Sequence, residues 1–165
     1  MDPTREYAQS VTLRAATADD QSFLLTVFAS TRTDELAALV WDPAQSEAFI
    51  QMQFKAQQQN YSACYPAAEN SIIILGERAI GRMLVDRREQ VIELVDIALL
   101  AEHRNSGIGS FLIRGLLDEA RAARKSVRLW VYKLNPAVRL YERLGFSLIA
   151  EDAVYSEMTW APAKS

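Results

Sequence analysis

Residues 104–109 read Arg-Asn-Ser-Gly-Ile-Gly and separate two segments of opposite character. Before them runs a near-continuous apolar stretch, Val91-Ile-Glu-Leu-Val-Asp-Ile-Ala-Leu-Leu100. After them comes an amphipathic run that places Ile108, Phe111, Leu112, Leu116 and Ala120 on one stripe, as a helix requires. A strand that passes through a small glycine turn into a helix start makes an anion site. The glycines let the backbone approach a ligand, and the first helical amides lack intrahelical acceptors. Arg104 adds a formal charge at the mouth. This segment is expected to hold a phosphate or pyrophosphate, and every arrangement of the remaining elements must leave it open.

The flanking elements follow from periodicity and breakers. Val11-Thr-Leu-Arg-Ala15 alternates as a short strand, and Thr17-Ala-Asp-Asp20 caps a helix reaching about Arg32. Asp42-Pro43 is an N-cap and first-turn proline for a glutamine-rich helix running toward Asn60. Residues 71–75 and 79–85 read as a hairpin around Gly76-Glu-Arg78, with 91–100 as the third strand of the meander. After the helix from Gly107 come a strand over 127–132, a helix over 137–144 stopped by Gly145, and strands over 146–150 and 155–160. The order β-α-α-β-β-β-α-β-α-β-β is an α+β mixture, an antiparallel meander followed by a β-α-β unit. The 165 residues are expected to form one domain, with a core from about 11 to 160 and loose ends.

Composition narrows the function classes. A net charge of −3 offers no broad attraction to nucleic acid or anionic membrane. One cysteine, Cys64, precludes an internal disulfide, and with one histidine a structural zinc site is not expected. The polar opening Met1-Asp-Pro-Thr-Arg-Glu does not read as a secretion signal, and no apolar run reaches membrane-spanning length, so the expected location is the cytoplasm. A P-loop is disfavoured because no Lys-Ser/Thr follows the glycines. A dinucleotide fingerprint is disfavoured because Leu112 stands where its third glycine belongs.

Three features coincide. Arg104-Asn-Ser-Gly107-Ile-Gly109 matches an [Arg/Gln]-x-x-Gly-x-[Gly/Ala] signature. It follows a strand carrying Glu93-Leu-Val-Asp-Ile-Ala-Leu. About thirty residues on comes Asn135-Pro-Ala-Val-Arg-Leu-Tyr141-Glu-Arg-Leu-Gly145-Phe146. Together they resemble the GCN5-related N-acetyltransferase (GNAT) superfamily, sharply over 91–146 and loosely over the whole element order. The resemblance implies an α/β sandwich with a mostly antiparallel, splayed sheet of six or seven strands flanked by about four helices. It implies binding of acetyl-CoA, with no metal, and direct transfer of acetyl to a primary amine in a ternary complex, without an acetyl-enzyme. The acceptor would be a small molecule or a peptide. By the same resemblance, the turn amides of Asn105, Ser106, Gly107, Ile108, Gly109 and Ser110, with Arg104, would hold the pyrophosphate. The pantetheine arm would pair with the backbone of Ile97, Ala98 and Leu99, and Asn135 would bond it.

Acyl transfer from a thioester to an amine needs a base, a donor for the carbonyl oxygen and a proton for the leaving thiolate. Glu93 is the first candidate for the base, with burial expected to raise its pKa. The competing role is a cross-strand pair with Arg82 or Arg87. Asp96 is the rival base, or else a structural carboxylate. In a regular strand it faces away from Glu93, and a bulge would reverse that parity. Tyr141 matches the family's proton donor to sulfur, or else packs its ring in the core. His103 reads as a surface residue, Cys64 as a buried or loop thiol, and Trp41, Trp130 and Trp160 as core or pocket wall. The acceptor side would lie over 30–41, 61–69 and 151–157, with Trp41, Tyr61, Tyr65 and Tyr155 as lining. Asp34, Glu35, Asp42, Glu69, Glu151, Asp152 and Glu157 would give either an acidic rim or ordinary surface charge. The last two strands could supply an edge for a homodimer. The alternative from another class is a non-catalytic acyl-CoA-binding sensor or interaction module of the same fold.

Overall fold

A computed structural model describes residues 10–164, except the side chains of Asp34 and Glu35. The expected loose amino-terminal segment, 1–9, lies outside the described residues. Seven strands form one sheet in the order β1-β2-β3-β4-β5-β7-β6. They are β1 (Val11–Ala15), β2 (Glu69–Leu75), β3 (Arg78–Arg87), β4 (Val91–Leu99), β5 (Ser126–Tyr132), β6 (Ser147–Glu151) and β7 (Tyr155–Trp160). All neighbours are antiparallel except β4 and β5. That parallel pair is the β-α-β unit read from the sequence, since a parallel return needs a crossover helix.

The helices are α1 (Gln21–Ser30), the short α2 (Thr33–Ala37), α3 (Pro43–Cys64), α4 (Ile108–Ala123) and α5 (Ala137–Arg143). α1 and α3 cover one face through Leu24, Phe28, Ile50, Phe54 and Ile72. α4 and α5 cover the other, where Ile108, Leu112, Ile113, Leu116 and Tyr141 meet Ile73, Ile92, Leu94 and Leu129. The stripe predicted for α4 is the buried one, except that Phe111 is only partly covered and Ile113 and Leu117 join it.

Local chemistry accounts for several helix ends. Asp20 closes a capping box with Thr17 and accepts hydrogen bonds from the two terminal guanidinium nitrogens of Arg14, each at 2.9 Å, joining β1 to the start of α1. Asp42 accepts the Gln45 amide at 2.8 Å and Gln45 returns the bond at 3.1 Å, a box not anticipated from the sequence. α3 runs four residues past the expected stop, to Cys64. No breaker intervenes before Tyr65-Pro66, where the proline disfavours helical backbone in the residue before it. Gly145 ends α5 at φ +99°, with Trp160 packed where a Cβ would stand.

Other expectations are corrected. β7 inserts between β5 and β6, so of the last two strands β6 alone is a sheet edge, and the 155–160 strand offers none. Trp160 is buried, whereas Trp41 and Trp130 are largely exposed. Cys64 sits exposed in the last turn of α3. His103 lies in a short 3₁₀ turn with Nε2 buried and without a hydrogen-bond partner, so it is not a plain surface residue.

Candidate active site

The sheet forks at its centre. β4 pairs with β5 only from Val91 opposite Ser126 to Leu94 opposite Leu129, while β5 continues against β7 to Tyr132. Beyond Leu94 the two strands part. Leu100 donates its amide to Ile80 in β3, so by strand alternation the peptide groups of Ile97 and Leu99 face the gap, and those of Ala98 face β3. At the top of the fork lies the glycine turn. Asn105 and Gly107 adopt left-handed backbone, φ +57° and +90°, and α4 begins at Ile108 with Phe111 donating to Gly107. Asparagine tolerates that region better than other side-chain-bearing residues, so Asn105 suits its position. The amides of Ile108, Gly109 and Ser110 precede the first intrahelical bond and carry the positive end of the helix dipole. An extended arm in the gap with its anionic end on this turn fits the geometry.

Two expected ligands have other duties. Arg104 donates from Nε to the Leu99 carbonyl at 3.0 Å and from a terminal nitrogen to the Ser30 carbonyl and Oγ at 3.1 and 3.0 Å. It ties the end of β4 to the C-terminus of α1, a favourable place for a cation. Asn135 accepts the Ala137 amide at 2.9 Å, bracing the start of α5, and its NH₂ group is left to reach a ligand.

β4 carries the two acidic candidates, and a bulge decides their relation. Leu84 faces Asp96 and Val85 faces Leu94, which leaves Val95 as an extra residue. The bulge restores Glu93 and Asp96 to the same face, under the C-terminal half of α3. Glu93 is 2% exposed and bound by Arg128, whose terminal nitrogen stands 2.7 Å from one carboxylate oxygen and whose Nε stands 3.2 and 3.3 Å from the two. Arg88 approaches to 3.9 Å. The partners are therefore Arg128, across the parallel pair, and Arg88, in the turn after β3, not Arg82 or Arg87. The sheet order explains this: Arg128 stands directly opposite Glu93 on the parallel neighbour, which the meander alone does not reveal.

Asp96 has a looser partner, Arg82 at 3.8 Å. Burial pushes the Asp96 carboxyl above the ordinary carboxylate range, and Arg82, Arg32 and the Ile97 amide offset only part of that. Two phenols lie within electrostatic reach. Tyr61, on α3, is pushed up by burial and by the Asp96 charge. Tyr141, 7% exposed on α5, is pushed up to about 12 by the same two causes. Its ring stacks edge-on with Phe146. The Tyr141 ring is thus a core ring, as one of its two expected roles requires, and its hydroxyl feels the Asp96 charge.

Residues 61–84 add a feature that periodicity could not show. A cavity of about 380 Å³ opens on the α1/α3 face, walled by Gln58, Tyr61, Tyr65, Asn70, Arg82 and Leu84; Asp96 does not line it but adjoins its wall, 3.8 Å from Arg82 and opposite Leu84. Tyr61 and Tyr65 belong to the expected acceptor lining, whereas Trp41 packs on Phe49 and Tyr155 on Tyr132. The acidic rim does not form from the described side chains. Glu69 pairs with Arg87, Glu151 with Lys133 and Glu157 with Arg128; Asp42 caps α3, and Asp152 accepts the amides of Val154 and Tyr155.

The sequence profile of the acetyltransferase (GNAT) family matches residues 31–146. The chain belongs to that family. Solved structures agree on the fold. The PaiA N-acetyltransferase of Thermoplasma acidophilum, in complex with coenzyme A, superposes with a TM-score of 0.69 at 17% identity, over 93% of this chain and 99% of that one. An HPA2-type histone acetyltransferase from Corynebacterium glutamicum gives 0.66 at 22% identity, over 95% and 99%. Naa50 of Arabidopsis thaliana, in complex with a bisubstrate analogue, gives 0.61 at 17% identity, over 92% and 99%. At such identities the likeness establishes the fold. No curated protein sequence matches the chain. No described helix is long and apolar enough to cross a membrane.

Proposed function

We propose that this GNAT protein is an N-acetyltransferase that moves acetyl from acetyl-CoA to a primary amine by direct attack. The observation that carries the reading is the half-paired fork between β4 and β5, closed at its top by the left-handed turn that opens α4. Acetyl-CoA supplies an activated thioester. The turn amides of residues 105–110 would hold its pyrophosphate, and the Ile97 carbonyl and Leu99 amide would hydrogen-bond its arm, the other halves of those two peptide groups being bonded to Asp96 and Arg104. Arg104 would act through the loop it braces.

Asp96, with its raised pKa, is the better-placed base. Glu93, held by Arg128, is the anchor of the fork. Asp96 takes one proton from the acceptor ammonium, freeing the lone pair for attack. A β4 amide displaced from the β3 ladder at Val95 polarises the carbonyl oxygen as it gains charge. The C–N bond forms and the C–S bond breaks. Tyr141 gives its proton to the leaving sulfur and is reprotonated by the proton that the new amide nitrogen loses. A phenol at about 12 stays protonated at neutral pH, and the desolvation that raises it also raises the basicity of a thiolate beside it.

The test is calorimetric titration of the protein with acetyl-CoA and with CoA, against Gly109→Glu. A Cβ at Gly109 meets no heavy atom within 4 Å, so the variant introduces charge and bulk at the turn without a clash. Binding weakened about tenfold or more supports the site. Equal binding by both proteins refutes it. Binding without acetylation of any amine in a screen supports a sensor of acyl-CoA instead.

A further inference from the structure

The cavity beside Asp96 has an unusual wall for an amine site. Arg82 is 5% exposed and projects from β3, opposite Ile72 and Ala98. Its Nε donates to the Asn70 side chain at 3.1 Å, and its guanidinium carbon stands 5.5 Å from the Tyr61 ring centre. A guanidinium has five donors in a fixed fork, so the Asn70 bond uses one. Asp96, at 3.8 Å, lies beyond hydrogen-bond distance from the nearer terminal nitrogen. The terminal nitrogens therefore hold donor capacity at the cavity wall, and no carboxylate among the described residues lines that cavity.

A buried guanidinium fork is shaped for a bidentate oxyanion, and a carboxylate is the commonest one. The amine-directed carboxylate, Asp96, is its immediate neighbour. Opposite charges this close complement a molecule whose ammonium and carboxylate sit on one carbon. A lone amine would meet Asp96 but leave the Arg82 fork facing a neutral group. A peptide amino terminus, with an amide in place of the carboxylate, would do the same.

We propose that the acceptor is a free α-amino acid, with Arg82 as the residue that selects its carboxylate. The ammonium lies at Asp96, the carboxylate at Arg82 and Asn70, and the side chain in the cavity between Tyr61, Tyr65, Gln58 and Leu84. This assignment rests on the acetyl-transfer reading above and adds the substrate class to it.

Binding tests it without requiring turnover. Each of the twenty amino acids is titrated calorimetrically into the CoA-saturated protein. Every one that binds is compared with its decarboxylated amine and its α-carboxamide. The expected result is that at least one binds, and that loss of the carboxylate charge weakens it about 10- to 100-fold. Arg82→Gln should abolish that difference within the matched set and Arg82→Lys restore part of it. Unchanged CoA binding shows that both variants are folded. In acetylation assays, Arg82→Gln should raise the KM of the amino acid about tenfold more than that of the decarboxylated amine, whose only change comes through the neighbouring Asp96. Failure of all twenty to bind, or equal binding of acid, amine and carboxamide, overturns the proposal. Failure of acetyl-CoA to bind overturns the acetyl-transfer reading separately, because that titration is scored on its own.

Discussion

Glu93→Gln and Asp96→Asn separate two roles that lie three residues apart. The Glu93–Arg128 pair is close, with contacts of 2.7, 3.2 and 3.3 Å, and Glu93 is 2% exposed. Removing one partner of a fully buried pair costs about 3–5 kcal/mol. Here the Arg128 side chain is 32% exposed and has Glu157 within 3.9 Å, so solvent and that carboxylate recover part of the loss. Halving the figure for that screening leaves about 2 kcal/mol. Glu93→Gln should therefore lower the free energy of unfolding by that amount, read as a lower urea midpoint with no change in slope. It should loosen acetyl-CoA binding through the fork while keeping the acid limb of the pH–rate profile.

Asp96→Asn should do the reverse. Its folded pKa is raised above the unfolded value. The native state therefore binds more protons between the two, and the stabilising effect is lost as pH rises through the folded pKa. Above that folded pKa the charged Asp96 opposes folding, and there the asparagine variant should be at least as stable as the parent. It should lose about 10²- to 10⁴-fold in kcat, and its acid limb should vanish. If Glu93→Gln instead removes that limb with stability intact, while Asp96→Asn stays active, the assignment of base and anchor is wrong.

Gly81→Ala should destabilise by about 3 kcal/mol and weaken acetyl-CoA binding, because its Cβ would stand 2.3 Å from the Ala98 carbonyl and push β4 aside. Chemical denaturation and calorimetry read both effects, and an unperturbed variant would show that the β3–β4 approach is unimportant. Tyr141→Phe should lower kcat about 10²-fold with little change in the KM of acetyl-CoA. It should also remove a loss of stability that the parent shows as pH rises from about 10 to about 12, since the folded phenol holds its proton longer than the unfolded one. Retention of full activity would confine Tyr141 to its packing with Phe146.

The local elements were legible because each carries its own signal. The Asp42-Pro43 start of α3, the α4 stripe and the Gly145 stop are short-range patterns, and they stand where the sequence placed them. The glycine turn was legible for the same reason: left-handed backbone before an amphipathic run needs only a few adjacent residues. Long-range partners were not. Arg128 follows Glu93 by thirty-five residues and meets it only because α4 returns the chain parallel to β4. Arg104, charged and beside the turn, was drawn to Ser30, seventy-four residues away, by the packing of α1 on the sheet. Whether Glu93 and Asp96 share a face depended on one extra residue, Val95, whose bulge leaves no mark in the apolar pattern. Local patterns thus determined the long helices, the strands and the turn, while the short α2 over Thr33–Ala37 was not read from them. Only the tertiary structure decided which charges neutralise one another and which remain for chemistry, because a side chain's partner is set by strand order and register across the sheet.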